Sequence, residues 1–134
     1  MYRSELREHI FKMVFSYEFN SDDEMPEQMQ LYFELLKEDH ATEDDLEYIR
    51  SKALDIILHT EEFDAKLNTL AKGWKTSRMN KVDLSILRVA MYEILLDEDI
   101  PTKVAINEAV EIAKKYGGDD SPAFVNAILA KVAA

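Results

Sequence analysis

The amino-acid sequence predicts an all-α fold, a bundle of seven helices. Apolar residues make up 47% of the 134 residues, while glycine and proline occur only three times each. Apolar side chains recur at the three- and four-residue spacing of amphipathic helices, and the alternation typical of strands is absent. This length suits one domain, 1–134.

Residues 81–96, KVDLSILRVAMYEILL, predict a buried central helix. The stretch is apolar almost all the way around a helical wheel, so other helices must surround it. Ser85, Arg88 and Tyr92 fall in one wedge of roughly 60°, and Asp83 and Glu93 lie among the apolar positions. We expect the wedge to bring polar groups to the surface.

Polar breaks and capping residues predict the first three helices. The first helix is expected over about 4–20. Ser21 opens a polar break, and Pro26 suits the first turn of the second helix. Thr42 and Asp45 have the spacing of a capping box, which predicts the start of the third helix.

The remaining boundaries follow from similar signals. Thr60 is the expected cap of the fourth helix and Gly73 its end, and Trp74 begins a basic loop. Asn80 is the expected N-cap of the central helix. That cap places Asp83 at the third helical position, where a carboxylate faces unpaired N–H groups.

The last two helices are predicted over 102–116 and from residue 121 onward. Gly117 and Gly118 end the first of them. Ser121 and Pro122 form an N-cap and first-turn pair for the second.

The net charge of −11 is concentrated in one segment. Residues 21–47 hold eleven acidic residues and one basic residue, Lys37, whereas the remainder holds sixteen acidic and fifteen basic residues. This segment is either a solvated face or a surface that repels nucleic acid. A phosphate-binding surface elsewhere is not excluded.

No feature of the sequence predicts catalysis or a cofactor. Cysteine is absent, which excludes disulfides and thiol chemistry and suits a reducing compartment. His9, His40 and His59 lack metal-ligand spacing, and there is no glycine-rich phosphate loop. There is also no signal peptide or apolar run long enough for a membrane span. We therefore expect a cytoplasmic protein that acts by surface recognition and is not an enzyme.

The second half of the sequence resembles the NusB family of bacterial transcription antitermination factors. The similarity is carried by ILRVAMYE, IP-x-KVAINEAVEIAKKYG and S-x-x-FVN in that order and spacing. The first half matches more loosely, through LREHIFKMVFSYEF and LAKGW. The resemblance implies two stacked three-helix-type sub-bundles, with halves of about 1–73 and 74–134.

The resemblance also implies a function. Proteins of this family bind the boxA element of nascent RNA together with the small-subunit ribosomal protein that doubles as NusE. The complex joins the elongating RNA polymerase and favours read-through of terminators, notably in ribosomal RNA operons. RNA and protein partner each bind better in the presence of the other, which is a coupling free energy between two sites.

Site residues are implied by position. The residues expected to contact RNA are Arg3, Arg7, Arg88, Lys115, Tyr116, Asp120 and Phe124. Cations placed at the start of a helix oppose its dipole, which is a weak sign that Arg3 and Arg7 have another use. Phe124 either stacks on a base or belongs to the core, and Arg88 either serves RNA or forms a buried ion pair. The residues expected to contact the ribosomal protein are Phe15, Asp83 and Glu93.

This sequence departs from the family in its sparse N-terminal arginines. Fewer phosphate contacts lower RNA affinity and flatten its salt dependence, so we expect weak RNA binding alone and stronger binding with the partner. One alternative is a helical adaptor or dimerisation module that does not bind RNA, with a homodimer hiding the RNA-binding face. A domain of a ribosomal RNA methyltransferase is a poorer alternative, because the chain has no cofactor-binding domain.

Overall fold

The computed structural model describes residues 1–70, 73 and 75–134. Within these residues there are seven α-helices, one short 3-10 turn and no strand, which confirms the predicted all-α class. The helices are α1 (Arg3–Tyr17), α2 (Met25–Glu38), α3 (Glu43–Leu58), α4 (Thr60–Leu70), α5 (Lys81–Leu95), α6 (Thr102–Tyr116) and α7 (Ser121–Ala133). The 3-10 turn is Thr76–Arg78. The loop start predicted at Trp74 lies outside the described residues.

Two of the predicted helix starts form the expected hydrogen bonds. The Thr42 N–H donates to Asp45 Oδ2 at 3.0 Å, and the Asp45 N–H donates to Thr42 Oγ1 at 3.1 Å, as in a capping box. The Asp83 N–H donates to Asn80 Oδ1 at 2.8 Å, so Asn80 caps α5. Each cap satisfies a backbone donor that the helix itself leaves unpaired.

Two other predicted caps are wrong. Thr60 is the first residue of α4, and its buried hydroxyl has no hydrogen-bond partner among the described residues. Asp120 occupies the N-cap of α7, one residue before the expected Ser121, and forms no side-chain cap. The Ser121 hydroxyl instead accepts a hydrogen bond from the Gly118 N–H at 3.0 Å. Ser121 thereby ties the end of the preceding loop to α7.

The first helix ends at Tyr17, three residues earlier than predicted. Asn20 Nδ2 donates to the Ser16 carbonyl at 2.9 Å and to the Ser16 hydroxyl at 3.0 Å. This side chain satisfies a carbonyl of the last turn, which is one way in which a helix end is completed. The capping property of Asn20 therefore outweighs the apolar periodicity that continues to Phe19.

The described chain forms two compact units, Met1–Ile57 and Leu58–Ala134. In the first unit, α1 packs against α2. In the second unit, α5 packs against α4, α6 and α7, and α6 and α7 pack against each other. The candidate site described below is built in the second unit by the starts of α5 and α7.

The central helix is buried along most of its length, as predicted. Every residue from 83 to 93 is buried, and Leu84, Leu87 and Met91 are at most 1% exposed. Burying such side chains contributes about 1.5–3 kcal/mol each. The polar wedge of Ser85, Arg88 and Tyr92 was expected to reach the surface, and this expectation is wrong, because all three are buried. Inside the helix the Ser85 hydroxyl donates to the Lys81 carbonyl at 2.7 Å.

Candidate functional site

A cavity of about 470 Å³ opens where the start of α5 meets the start of α7. Its lining residues are Arg78, Met79, Asn80, Asp83, Gly118, Asp119, Asp120, Ser121 and Phe124. The volume lies within the range typical of ligand sites. The cavity brings together three residues that the sequence assigned to function, Asp83, Asp120 and Phe124.

Asp83 forms the inner wall of the cavity at the first turn of α5. Its Oδ2 accepts a hydrogen bond from Asn80 Nδ2 at 3.0 Å, while its own N–H donates to Asn80 Oδ1. Its other oxygen, Oδ1, is buried and has no hydrogen-bond partner in the described part of the chain. The residue is only 7% exposed. The structural role of Asp83 at the third position of α5 is therefore present, while its partner contact stays a prediction.

The loop between α6 and α7 positions the other wall. A Cβ atom on Gly117 would lie 2.5 Å from Ser121 Cβ and 2.8 Å from the Ala113 carbonyl oxygen. Only glycine fits this close approach. The resulting tight corner leads directly to Asp119 and Asp120, both of which are exposed.

Phe124 lies one turn into α7 with its side chain half-buried at the cavity. The sequence left two alternatives, a stacking aromatic and a core residue. The ring has an exposed part, unlike the fully buried Val125 beside it. Stacking of Phe124 on a base stays a prediction.

Two cations lie in or just before the two chain segments that line the cavity. Arg78 lines it and is exposed. Lys115 is exposed at the end of α6, and its Nζ lies 5.4 Å from the ring centroid of the half-buried Tyr116, within cation–π distance. Arg78 belongs to the basic loop predicted to begin at Trp74, but the sequence assigns it to no site. Its place in the cavity depends on how the turn at Thr76–Arg78 folds, which no local motif predicts.

Arg88 forms the buried ion pair that was one of its two predicted roles. Its Nε donates to Asp64 Oδ1 at 2.9 Å and its Nη2 to Asp64 Oδ2 at 2.7 Å. Arg88 is 3% exposed, so its guanidinium is used inside the protein. This arrangement does not favour the expectation that Arg88 contacts RNA.

The two N-terminal arginines differ in exposure. Arg3 is exposed, donates to the Tyr48 hydroxyl at 3.2 Å and lies 5.6 Å from the centroid of that ring. Arg7 is only 6% exposed. Both remain predicted RNA contacts, but only Arg3 presents much of its side chain to solvent.

The remaining predicted partner residues also differ in exposure. Phe15 is half-buried, and its ring lies 5.0 Å from that of Phe19 in an edge-to-face arrangement. Phe19 follows the end of α1 and is 63% exposed, so the two rings form a partly accessible aromatic pair there. Glu93 is 7% exposed, as is Asp83, so burial does not distinguish the two carboxylates and both stay predicted partner contacts.

The described residues contain no group of three or more histidine, aspartate or glutamate side chains that could hold a metal ion. None of the helices in the described ranges combines the length and apolar character needed to cross a bilayer.

Comparison with known proteins gives a consistent result over the whole chain. The NusB family model matches residues 4–134. The transcription antitermination protein NusB of Agathobacter rectalis is 53% identical over 133 residues, which is 99% of this chain and 100% of that protein. Its counterpart from Lachnoclostridium phytofermentans is 48% identical over 132 residues, 98% of each chain.

Solved structures agree with these relatives. The structure of NusB from T. maritima has a TM-score of 0.87 and 34% sequence identity, and the match covers 99% of this chain and 91% of that one. The solution structure of NusB from Aquifex aeolicus has a TM-score of 0.80 at 21% identity, covering 97% and 86%. The second match concerns the fold alone.

Proposed function

The chain belongs to the NusB family of transcription antitermination proteins, and on that premise we propose that it binds boxA-type RNA. It does so cooperatively with the small-subunit ribosomal protein that acts as NusE. The complex then joins the elongating RNA polymerase at ribosomal RNA operons in the cytoplasm. Proteins of this family are regulatory and not enzymes, in agreement with the expectation from the sequence.

The observation that carries the RNA proposal is the position of Phe124, a partly exposed aromatic residue, in a cavity that polar groups also line. Single-stranded RNA is recognised by stacking of splayed bases on aromatic rings and by hydrogen bonds to base edges. Stacking contributes about 1–3 kcal/mol per base. The cavity offers one ring and several hydrogen-bonding groups within a single site.

The carboxylates determine which part of RNA suits this cavity. Asp119 and Asp120 repel phosphate, but a carboxylate accepts hydrogen bonds from the amino groups of bases. We therefore assign base recognition to the cavity. Phosphate contacts fall to exposed cations, Arg78 and Lys115 in the second unit and Arg3 in the first. The ring of Tyr116 lies within cation–π distance of the Lys115 ammonium group and helps to position it.

Binding of the ribosomal protein is assigned to Phe15 and Asp83. The Phe15 and Phe19 rings provide an apolar contact. Asp83 is only 7% exposed, so its carboxylate would act on a cationic partner mainly through its charge. Asp83 also lines the cavity proposed for the base. A partner that touches Asp83 would change the environment of bound RNA, which gives a physical basis for cooperative binding.

The proposal is tested by RNA affinity of four variants in the presence of the ribosomal protein. Phe124→Ala and Lys115→Glu should each weaken binding of boxA-type RNA by about tenfold or more. Lys131→Glu changes the charge of an exposed lysine near the end of α7 and is the matched control. Arg3→Glu tests the first unit in the same way.

If Phe124→Ala, Lys115→Glu and Arg3→Glu all bind RNA as the wild type and the control do, the RNA-binding proposal fails. The alternative of a helical adaptor or dimerisation module then applies, and the burial of Arg7 favours it, because that burial leaves fewer N-terminal cations for phosphate.

A further inference from the structure

Helix α2 carries an exposed apolar stripe. None of the residues proposed to contact RNA or NusE belongs to this stripe. Leu31 is 55% exposed and Leu35 is 64% exposed. Their four-residue separation places them on the same face of the helix, one turn apart. The opposite face, with Met29, Phe33 and Leu36, is buried. The two leucines are thus additional to the apolar side chains that α2 needs for its own packing.

Carboxylates lie within this stripe and along one side of it. At about 100° per residue, the positions within roughly 60° of Leu31 on the wheel include Glu24, Glu27, Glu34, Leu35 and Glu38, all of which are exposed. We call Leu31, Leu35 and these four glutamates the α2 outer face. The single base of the segment, Lys37, lies 3.6 Å from Glu34 and 3.9 Å from Glu43. Its charge is therefore already met by two carboxylates.

Exposed apolar side chains rimmed by charged residues mark interaction sites, and the charge identifies the occupant. Nucleic acid is repelled by the four glutamates. A second copy of the chain would place four glutamates against four others, which costs free energy for like charges. A partner with an apolar strip bordered by lysine or arginine instead satisfies both features at once.

We propose that the α2 outer face docks a cationic amphipathic helix of a partner protein. The face runs along a helix of 14 residues, which is about 21 Å long. A partner helix of three to four turns has the same length, and its side chains would pack between those of α2. The leucines provide the apolar contact, and the glutamates orient the partner and speed its approach. The inference is independent of the proposed RNA function.

The test uses a designed 18-residue peptide of leucine and lysine, with leucine at three- and four-residue spacing, titrated into ¹⁵N-labelled full-length protein. Two further peptides are controls, one with glutamate in place of lysine and one with the same residues in scrambled order. Chemical-shift changes should be confined to α2. The variant Leu31→Ser/Leu35→Ser should bind about tenfold more weakly. Leu54→Ser, which alters an exposed leucine of α3, should bind as the wild type does.

Three outcomes would overturn the proposal. The first is equal binding of the scrambled or the glutamate peptide. The second is a shift pattern spread equally over α2 and the acidic start of α3, with no effect of the leucine variant. The third is a concentration-dependent dimer that Leu31→Ser/Leu35→Ser abolishes, since the occupant would then be a second copy. Because both leucines are exposed, thermal unfolding of the double variant should match the wild type.

Discussion

The guanidinium of Arg88 and the carboxylate of Asp64 are joined by two parallel hydrogen bonds, of 2.9 and 2.7 Å, between α5 and α4. The Arg88 side chain is 4% exposed and that of Asp64 is 23% exposed. A bidentate pair in this environment is among the stronger polar contacts in proteins. It ties the central helix to its neighbour in the second unit.

Removing Asp64 should be costly, because it takes two charge-assisted hydrogen bonds from a buried cation. We expect Asp64→Ala to lower the free energy of unfolding by about 2–4 kcal/mol. Glu47→Ala is the matched control, since Glu47 pairs with Arg50 at 3.1 Å on the surface. Its cost should stay below about 1 kcal/mol. If urea unfolding gives the same loss of unfolding free energy for both variants, the Arg88–Asp64 pair stabilises the protein no more than a surface ion pair does.

The two roles of Asp83 can be separated by a pair of variants. Asp83→Asn removes the charge, and we expect it to weaken binding of the cationic ribosomal partner and to flatten the salt dependence of that binding. Asn80→Ala removes the cap and should cost about 1 kcal/mol of stability. Because Asp83 keeps its charge in that variant, the salt dependence of partner binding should be unchanged. An identical salt dependence for wild type and Asp83→Asn would leave Asp83 with its helix-start role alone.

Gly117 and Gly118 are adjacent, yet they should respond very differently to alanine. A Cβ at Gly117 meets Ser121 Cβ and Oγ at 2.5 Å, whereas a Cβ at Gly118 meets nothing within 4 Å. We expect Gly117→Ala to destabilise the protein by about 1–3 kcal/mol and to weaken RNA binding by displacing Asp120 and Phe124. Gly118→Ala should change stability by less than about 0.5 kcal/mol. Similar melting temperatures for the two variants would refute the close approach at Gly117.

His9 should make stability depend on pH. Burial lowers the pKa of His9, and nearby Lys12 lowers it further. The His9 Nδ1 lies 2.6 Å from the Tyr32 hydroxyl. Since the folded pKa is below the unfolded one, the contribution of His9 is full above the ordinary pKa of about 6.5 and is lost as pH falls through the folded value.

The His9→Gln variant measures this contribution. Its free energy of unfolding, from urea titrations at a series of pH values, should fall less steeply than that of the wild type below about pH 6.5. An NMR titration of the wild-type ring should give a pKa below that value. Parallel stability curves for the two proteins would contradict the prediction.

The fold was largely predictable because its signals are local. The bounds of α6 match the prediction, and α5 differs by one residue, since each is set by a periodic apolar pattern with a cap or a breaker at its ends. The error at the end of α1 arose where one side chain, Asn20, competes with that pattern. Thr60 shows the same limit, because a residue type that often caps helices does not cap here.

The candidate site was only partly predictable, because it depends on contacts between distant residues. Phe124 and Asp120 were identified through the family resemblance, but their cavity also needs Arg78 and Asn80, which lie on another element. The partner of Arg88 is 24 residues away, so the sequence could not decide between an ion pair and RNA. The difference in burial between Arg3 and Arg7 likewise depends on tertiary packing.

The proposed function depends on cooperative binding of RNA and the ribosomal protein. Its most direct test is fluorescence anisotropy of a labelled boxA-type RNA titrated with this protein at several salt concentrations, with and without the ribosomal partner. We predict weak binding alone and sequence-selective binding at least about tenfold tighter with the partner. Equal affinity in both conditions, or tight protein–protein binding without any preference for boxA, would show that the protein does not bind boxA-type RNA cooperatively.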